Sequence, residues 1–465
     1  MPLREHLPHV LVGAAITVAA AGCGGGDNGS AHLPATARTT PPASVLRIPR
    51  DGGFARLYRV PGLTESSWKA AEKLPALKRV VGGDLEQRLV FAVDAKNNLV
   101  GLDLESRRVR TFLPQVRHAA IGPDGAVYAV DTGQAVTQIV RRSPVRFRPK
   151  LAAAPRALYG TMSGTLVAIP AADRAEAVTL GSDQAQARAA VPAGEASATY
   201  LGDIVAIATD TGVVLYEPQT KRVVHTLDIS HARAVIFSPS GHRLYVLRNE
   251  KEISIIDRFS DSELETIELP GPARELRGDF YGGWLLARPE RGDSAWVVDI
   301  AAARIVGTAR TRWGDDLPVV AGRQTLLVRS GGDVHALDLS AKDFPVTGTI
   351  DAGADDAWVP LAWLPAQEQQ QLAAADSIAA DSDAVSAGAG IFLQVSSSRN
   401  PSWAQELATK LKGAGLPAAV LPPKKGDEAY RVVLGPYATR EQAEATGKTL
   451  GMPSFVITPE DQPAQ

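Results

Sequence analysis

From Val45 to Pro365 the apolar residues come in short runs separated by turn-forming Gly, Asn, Asp and Ser, with no helical period. Leu89-Val90-Phe91-Ala92-Val93, Ala126-Val127-Tyr128-Ala129-Val130 and Thr165-Leu166-Val167-Ala168-Ile169 open the series. Ile204-Val205-Ala206-Ile207, Leu244-Tyr245-Val246-Leu247, Trp284-Leu285-Leu286-Ala287 and Thr325-Leu326-Leu327-Val328 continue it. Measured between Phe91, Tyr128, Val167, Val205, Tyr245, Leu285 and Leu327, the steps are 37, 39, 38, 40, 40 and 42 residues. Most runs lead through a turn to a further strand ending in an acidic or polar residue, as Asn97-Asn98 leads to Leu99–Asp103. Strands repeating every 40 residues or so read as blades of an all-β propeller. Seven markers predict seven blades; the alternative is eight, with an irregular blade in residues 45 to 75. An open propeller would leave two raw sheet edges, so Val45–Ile48 or Leu57–Val60 is expected to pair with the last blade.

The pattern changes after Pro365. Residues 366 to 389 are mostly Gln, Ala, Ser and Asp, a linker with room for one short helix from Gln367 to Ala375. Ile391-Phe392-Leu393-Gln394-Val395 then alternates, with Ile391, Leu393 and Val395 on one face and Phe392, Gln394 and Ser396 on the other. Tyr430 to Leu434 alternates likewise, and Gly435-Pro436 closes it. A helix is expected after each strand. The first is capped by Asn400 and carries Ala404, Leu407, Ala408 and Leu411. The second opens at Thr439 with Gln442 three residues on, a capping box. Short strands at Ala418–Leu421 and Phe455–Ile457 complete a small α+β domain of order β-α-β-β-α-β. Its two helices can cover only one sheet face, leaving the other open.

Both halves resemble known families. The blades are similar to the WD-repeat and YVTN-type propellers of bacterial surface proteins, without a crisp Gly-His or Trp-Asp signature. The C-terminal order, with Gln394 on its first strand and Tyr430-Arg431-Val432-Val433-Leu434-Gly435-Pro436-Tyr437 on its third, resembles a SPOR domain. SPOR domains share the fold of RNA-recognition modules but bind peptidoglycan on the open sheet face, preferring glycan strands stripped of stem peptides. The resemblance spans residues 390 to 458. Where the family continues Gln-x-Gly-Ser-Phe, this chain has Gln394-Val395-Ser396-Ser397-Ser398. The resemblance implies that Gln394 and Ser396 hydrogen-bond the glycan and that Arg431 meets a lactyl carboxylate. Phe392 either stacks on a pyranose ring or packs in the core, and Tyr437 packs.

At the other end, Arg4 precedes an apolar run from Val10 to Ala21, too short to span a bilayer and of secretory type. It closes with Ala20-Ala21-Gly22-Cys23, which resembles a bacterial lipobox and implies lipidation of Cys23, the sole cysteine. Gly24 rather than Asp follows, which favours the outer over the inner membrane. Gly24 to Pro42 is too poor in apolar residues to fold. The expected organisation is signal peptide 1–22, tether 23–43, propeller 44–365, linker 366–389 and SPOR-like domain 390–460.

Chemistry adds little to this. A formal net charge of −2 gives no support to a polyanion-binding role, and the aromatic RNA-binding string is missing. The eight histidines lack metal-ligand spacing. Ser66-x-x-Lys69 has the spacing of a serine/lysine acylase without its companion motifs, and Gly160 to Gly164 is not a nucleophile elbow. Arg291-Gly292-Asp293 and Asp94 to Asn98 read as turns, and Asp103 and Asp338 as turn caps. No catalytic residue, metal site or cofactor is predicted.

The expectation is a lipid-anchored protein on the periplasmic side of the envelope, active in division or wall remodelling. Its expected partners are glycan strands, unidentified envelope proteins held by the propeller, and the membrane through the lipid; nucleic acid is not among them. Two rivals stand beside it. One is a propeller enzyme acting on the wall, which requires carboxylates or histidines clustered in the central channel. The other is an assembly scaffold for outer-membrane proteins.

Overall fold

The computed structural model describes residues 43–84, 88–140, 142–147, 150–170, 176–181, 185–369, 391–398, 401–413, 416–421, 430–437, 439–450 and 455–457. Cys23, the leader, the tether, most of the linker and the Asn400 cap lie outside the described residues.

Eight four-stranded antiparallel sheets follow one another from Ser44 to Leu361, the alternative with an irregular blade near residues 45 to 75 rather than the seven of the marker count. Seven are continuous in sequence, spanning 77–113, 116–147, 155–190, 196–227, 232–268, 273–310 and 319–350. In each of these the four strands pair in chain order, innermost to outermost. The seven markers all fall on second strands, such as Leu89–Asp94 and Thr325–Ser330. These strands have a neighbour on each side and a blade against each face, so they bury almost every residue and read as unbroken apolar runs. Outermost strands such as Arg222–Leu227 are exposed for most of their length.

The eighth sheet joins the two ends of the domain. Ala357–Leu361 supplies the inner strand, and Ser44–Ile48, Arg56–Arg59 and Thr64–Lys69 the other three. Val45–Ile48 therefore makes the closing pair, with Ser44 opposite Leu361 and Ile48 opposite Ala357. Beside this seam Asp316 accepts two hydrogen bonds from the Arg329 guanidinium, both 2.8 Å, and one from the Trp358 backbone at 2.8 Å. Both charged side chains are under 5% exposed. The packing continues past Pro365 into a helical turn at residues 366–369. There the buried Glu368 accepts hydrogen bonds from Ser66 Oγ (2.5 Å), Ser67 N (3.1 Å) and Ser67 Oγ (3.0 Å). Ser66 is thus a structural anchor, while Lys69 lies over the Phe54 ring.

The core is divided among wedges between neighbouring blades. One wedge packs Tyr245, Leu247 and Ile255 of one blade against Leu276, Leu285 and Ala287 of the next. Each such side chain contributes about 1.5–3 kcal/mol on burial. Third strands end in Asp where the chain turns: Asp103, Asp257, Asp299 and Asp338 accept backbone N–H groups two or three residues on, at 2.9–3.0 Å. Arg291-Gly292-Asp293 is a hairpin turn, with Gly292 at φ 88°.

The C-terminal sheet has the order Ala418–Leu421, Tyr430–Tyr437, Ile391–Ser398, Phe455–Ile457. Helices Pro401–Gly413 and Arg440–Leu450 complete the β-α-β-β-α-β order. Ala404, Leu407 and Ala408 pack on Leu393, Val395, Val432 and Leu434. Thr439 Oγ1 accepts the Gln442 N–H at 3.2 Å, capping the second helix.

Candidate functional site

The strands carrying Gln394 and Arg431 pair at the centre of the C-terminal sheet. Leu393 lies opposite Leu434 in the helix-facing core, so Gln394 and its partner Val433 take the other face. Arg431 lies opposite Ser397, one pleat along from Val433 on that same face. Diagonal neighbours sit about 7–8 Å apart, within reach of two long side chains bridging one ligand. Gln394, Phe392 and Arg431 are partly buried, and Val433 is fully buried, so this face is less bare than an isolated sheet. Phe392 lies opposite Ile457. Gly435, at φ 132°, would place a Cβ 3.1 Å from the Phe392 ring, so the bend after the third strand requires glycine. Tyr437 packs against the core edge, and burial raises its pKa.

Ser396 departs from the alternation read in the sequence. An extra residue at Val395 bulges the first strand, so Ser396 falls opposite Val432, a core residue, instead of continuing the row of Gln394. Ser396 is 3% exposed, and its hydroxyl lies 3.0 Å from His242 Nε2 of the propeller. It is a contact between domains in this arrangement.

The propeller face that meets it is built from turns between first and second strands. His242, Tyr200, Met162 and Pro123 all occupy such turns. Lys410 Nζ, from the first helix, donates to the Pro123 carbonyl at 3.2 Å and lies 4.6 Å from the Tyr200 ring centre. Burial, reinforced by the Arg258 charge, lowers the His242 pKa to about 4, so the imidazole is neutral at neutral pH. Its ring meets Phe259 edge-on at 5.2 Å, and Tyr200 meets Phe280 likewise at 6.4 Å. Sequence reading found none of these residues, because turn positions carry no periodic signal. Among the described residues no group of three His, Cys, Asp or Glu side chains could hold a metal ion, and no helix is long and apolar enough to cross a membrane.

A propeller followed by a small sheet-and-helix module is the class that this geometry defines. Residues 387–458 match the SPOR domain family, so the chain carries a C-terminal SPOR domain. No curated protein matches the chain. Among solved structures, the dihydro-heme d1 dehydrogenase NirN in complex with DHE is similar at TM-score 0.52 and 16% identity, covering 71% of this chain and 78% of its own. AztD from Citrobacter koseri is similar at TM-score 0.52 and 12% identity, covering 69% of this chain and 98% of its own. At these identities the likeness shows the propeller fold alone.

Proposed function

We propose that this protein is a lipid-anchored envelope protein that holds denuded glycan strands through its SPOR domain. The propeller serves as a platform for other envelope proteins and acts by binding rather than by catalysis. The observation that supports it best is the central pairing that sets Gln394 and Arg431 on the helix-free face. An amide donates and accepts, which suits N-acetyl and hydroxyl groups. A guanidinium suits the lactyl carboxylate left when a stem peptide is removed. Phe392 supplies an apolar surface beside them, and Ser396 joins only if the propeller contact opens. Bare glycan accumulates where amidases have cut, as at division sites, which gives the protein an address in wall remodelling. Acylation of Cys23 supplies the membrane end; mass spectrometry of the mature N-terminus should find a diacylglyceryl cysteine.

The test is sedimentation of the full chain with sacculi before and after amidase treatment. Charged hydrogen bonds contribute about 1.5–3 kcal/mol, so Arg431→Ala should weaken binding roughly tenfold to a hundredfold. Gln394→Ala should cost about 1 kcal/mol less, its bonds being neutral. Leu393→Asp, aimed into the helix-facing core, should unfold the domain. Binding indifferent to amidase and to both alanine changes overturns the wall-binding reading. Release of muropeptides from the sacculi overturns the non-catalytic one.

A further inference from the structure

At the opposite mouth of the propeller one position repeats around the axis. The second residue of the inner strand is Lys78, Arg117, Arg156, Arg233 and Arg274 in five blades. In all five the register shifts at that residue, which bulges out of the ladder. The residue before Lys78, Arg117, Arg233 and Arg274 donates its N–H to the second turn of the preceding blade, and Thr311 does the same before Arg312. Arg312 is therefore a sixth cation in the same place, and by the same bond, from Ala354 to the Gly332 carbonyl, Asp355 is an acid there. All six side chains are exposed. Inner strands all run the same way and neighbouring ones pack side by side, so the six cations rim one end of the central channel.

The fold does not call for this. A bulged, solvent-facing position accepts any polar residue, and like charges around one axis repel each other. Carboxylates are interspersed with the cations. Arg156 lies 3.7 Å from Glu195, Arg233 3.5 Å from Glu250 and Arg312 2.9 Å from Asp355, while Lys78 donates to the Asn97 side chain. Arg117 and Arg274 form no ion pair among the described residues. Low-dielectric walls around a mouth concentrate such a field.

We infer that this rim binds an acidic polypeptide segment of a partner protein. Guanidinium forks bind carboxylates in pairs, and a ring around an opening suits a loop or chain end rather than a flat surface. A membrane surface fits less well. Ser44 pairs with the last residue of an inner strand, Leu361, so the chain enters and leaves the propeller at the other face. This rests on the platform reading of the propeller and names the chemistry of its partner.

The experiment titrates the full chain against a fluorescein-labelled decaglutamate peptide and follows anisotropy. Binding should weaken steeply with salt. Arg117→Glu with Arg274→Glu should weaken it about tenfold or more. Lys221→Glu with Arg222→Glu, the same change of net charge where an outer strand begins, should have little effect. Arg117→Gln with Arg274→Gln, which adds no repulsion, should fall between. Equal losses in the two charge-reversal pairs, or no peptide binding at all, overturn the inference. So does capture of phosphatidylglycerol vesicles that depends on Arg117 and Arg274 and displaces the peptide. Sacculus sedimentation by the same variants should be unchanged, so failure of the wall-binding reading appears separately.

Discussion

Asp279 lies in a turn between the first two strands of its blade and is 5% exposed. Its carboxyl accepts the Tyr281 N–H at 3.0 Å and the Trp284 N–H at 2.8 Å. Burial outweighs those bonds and raises its pKa from 3.8 to about 7. Between about pH 4 and pH 7 the folded state therefore holds the proton that the unfolded state has lost. The stability it contributes is complete below pH 4, declines as pH rises to about 7, and is absent above. At 1.36 kcal/mol per pKa unit the full shift corresponds to about 4 kcal/mol; relaxation around a charged carboxylate should leave about 2 kcal/mol or more. Asp279→Asn is neutral at every pH, and its amide oxygen can still accept an N–H. Thermal unfolding of the variant and the parent should diverge from pH 4.5 to pH 8, in favour of the variant. His242 works in the opposite direction, since its folded pKa of about 4 favours the folded state as pH rises toward 6.5. That effect is common to both proteins and cancels in their difference. A stability difference that does not change with pH would refute the reasoning.

Glu368→Ala strands the three donors of Ser66 and Ser67 and should cost about 1–3 kcal/mol, with faster proteolytic cutting after Pro365 in a time course. Asp316→Ala leaves the Arg329 charge buried without its partner and should cost about 3–5 kcal/mol by calorimetry. An Arg329→Met, Asp316→Leu double change should recover much of that loss. At Gly348, on the outermost strand of the seventh blade, a Cβ would run into the Gly62 carbonyl oxygen of the eighth, so Gly348→Ala should lower the unfolding midpoint by the equivalent of about 1–3 kcal/mol.

The second strands announced themselves because burial on both faces makes them uniformly apolar, as at Val205–Ala208. First and fourth strands did not. Gln186–Ala190 and Arg222–Leu227 face solvent along much of their length and look like loops in the sequence. The eighth blade escaped the count for another reason. Leu46 and Trp358 are both buried in it, yet they come from opposite ends of the domain, so no period joins them. In the C-terminal sheet, alternation placed Leu393 and Gln394 on their proper faces, but the inserted Val395 broke the rhythm before Ser396. A bulge is set by the partner strand and by packing, neither of which is written in the strand's own residues. Gln394 stood out only through its family resemblance, since a glutamine on a sheet face has no signal of its own. His242 and Lys410 meet their partners only through docking, which local pattern does not encode.

The docking has a consequence for how the two domains share one face. The Ser396–His242 hydrogen bond is neutral and worth about 0.5–1.5 kcal/mol. A partly buried cation over a ring, like Lys410 over Tyr200, adds about 0.5–2 kcal/mol. The charged hydrogen bond from Lys410 to the Pro123 carbonyl adds about 1.5–3 kcal/mol more, so together the contacts exceed the one charged hydrogen bond proposed from Arg431 to a glycan carboxylate. On the wall-binding proposal, opening the contact consumes much of the binding energy that Arg431 and Gln394 supply, so docking on the propeller weakens glycan binding. The chain enters the propeller at the face where the SPOR domain docks. Opening that contact leaves the far mouth, with Arg117 and Arg274, in place. Occupancy of wall and partner can then be simultaneous, because no residue proposed for one surface is required by the other.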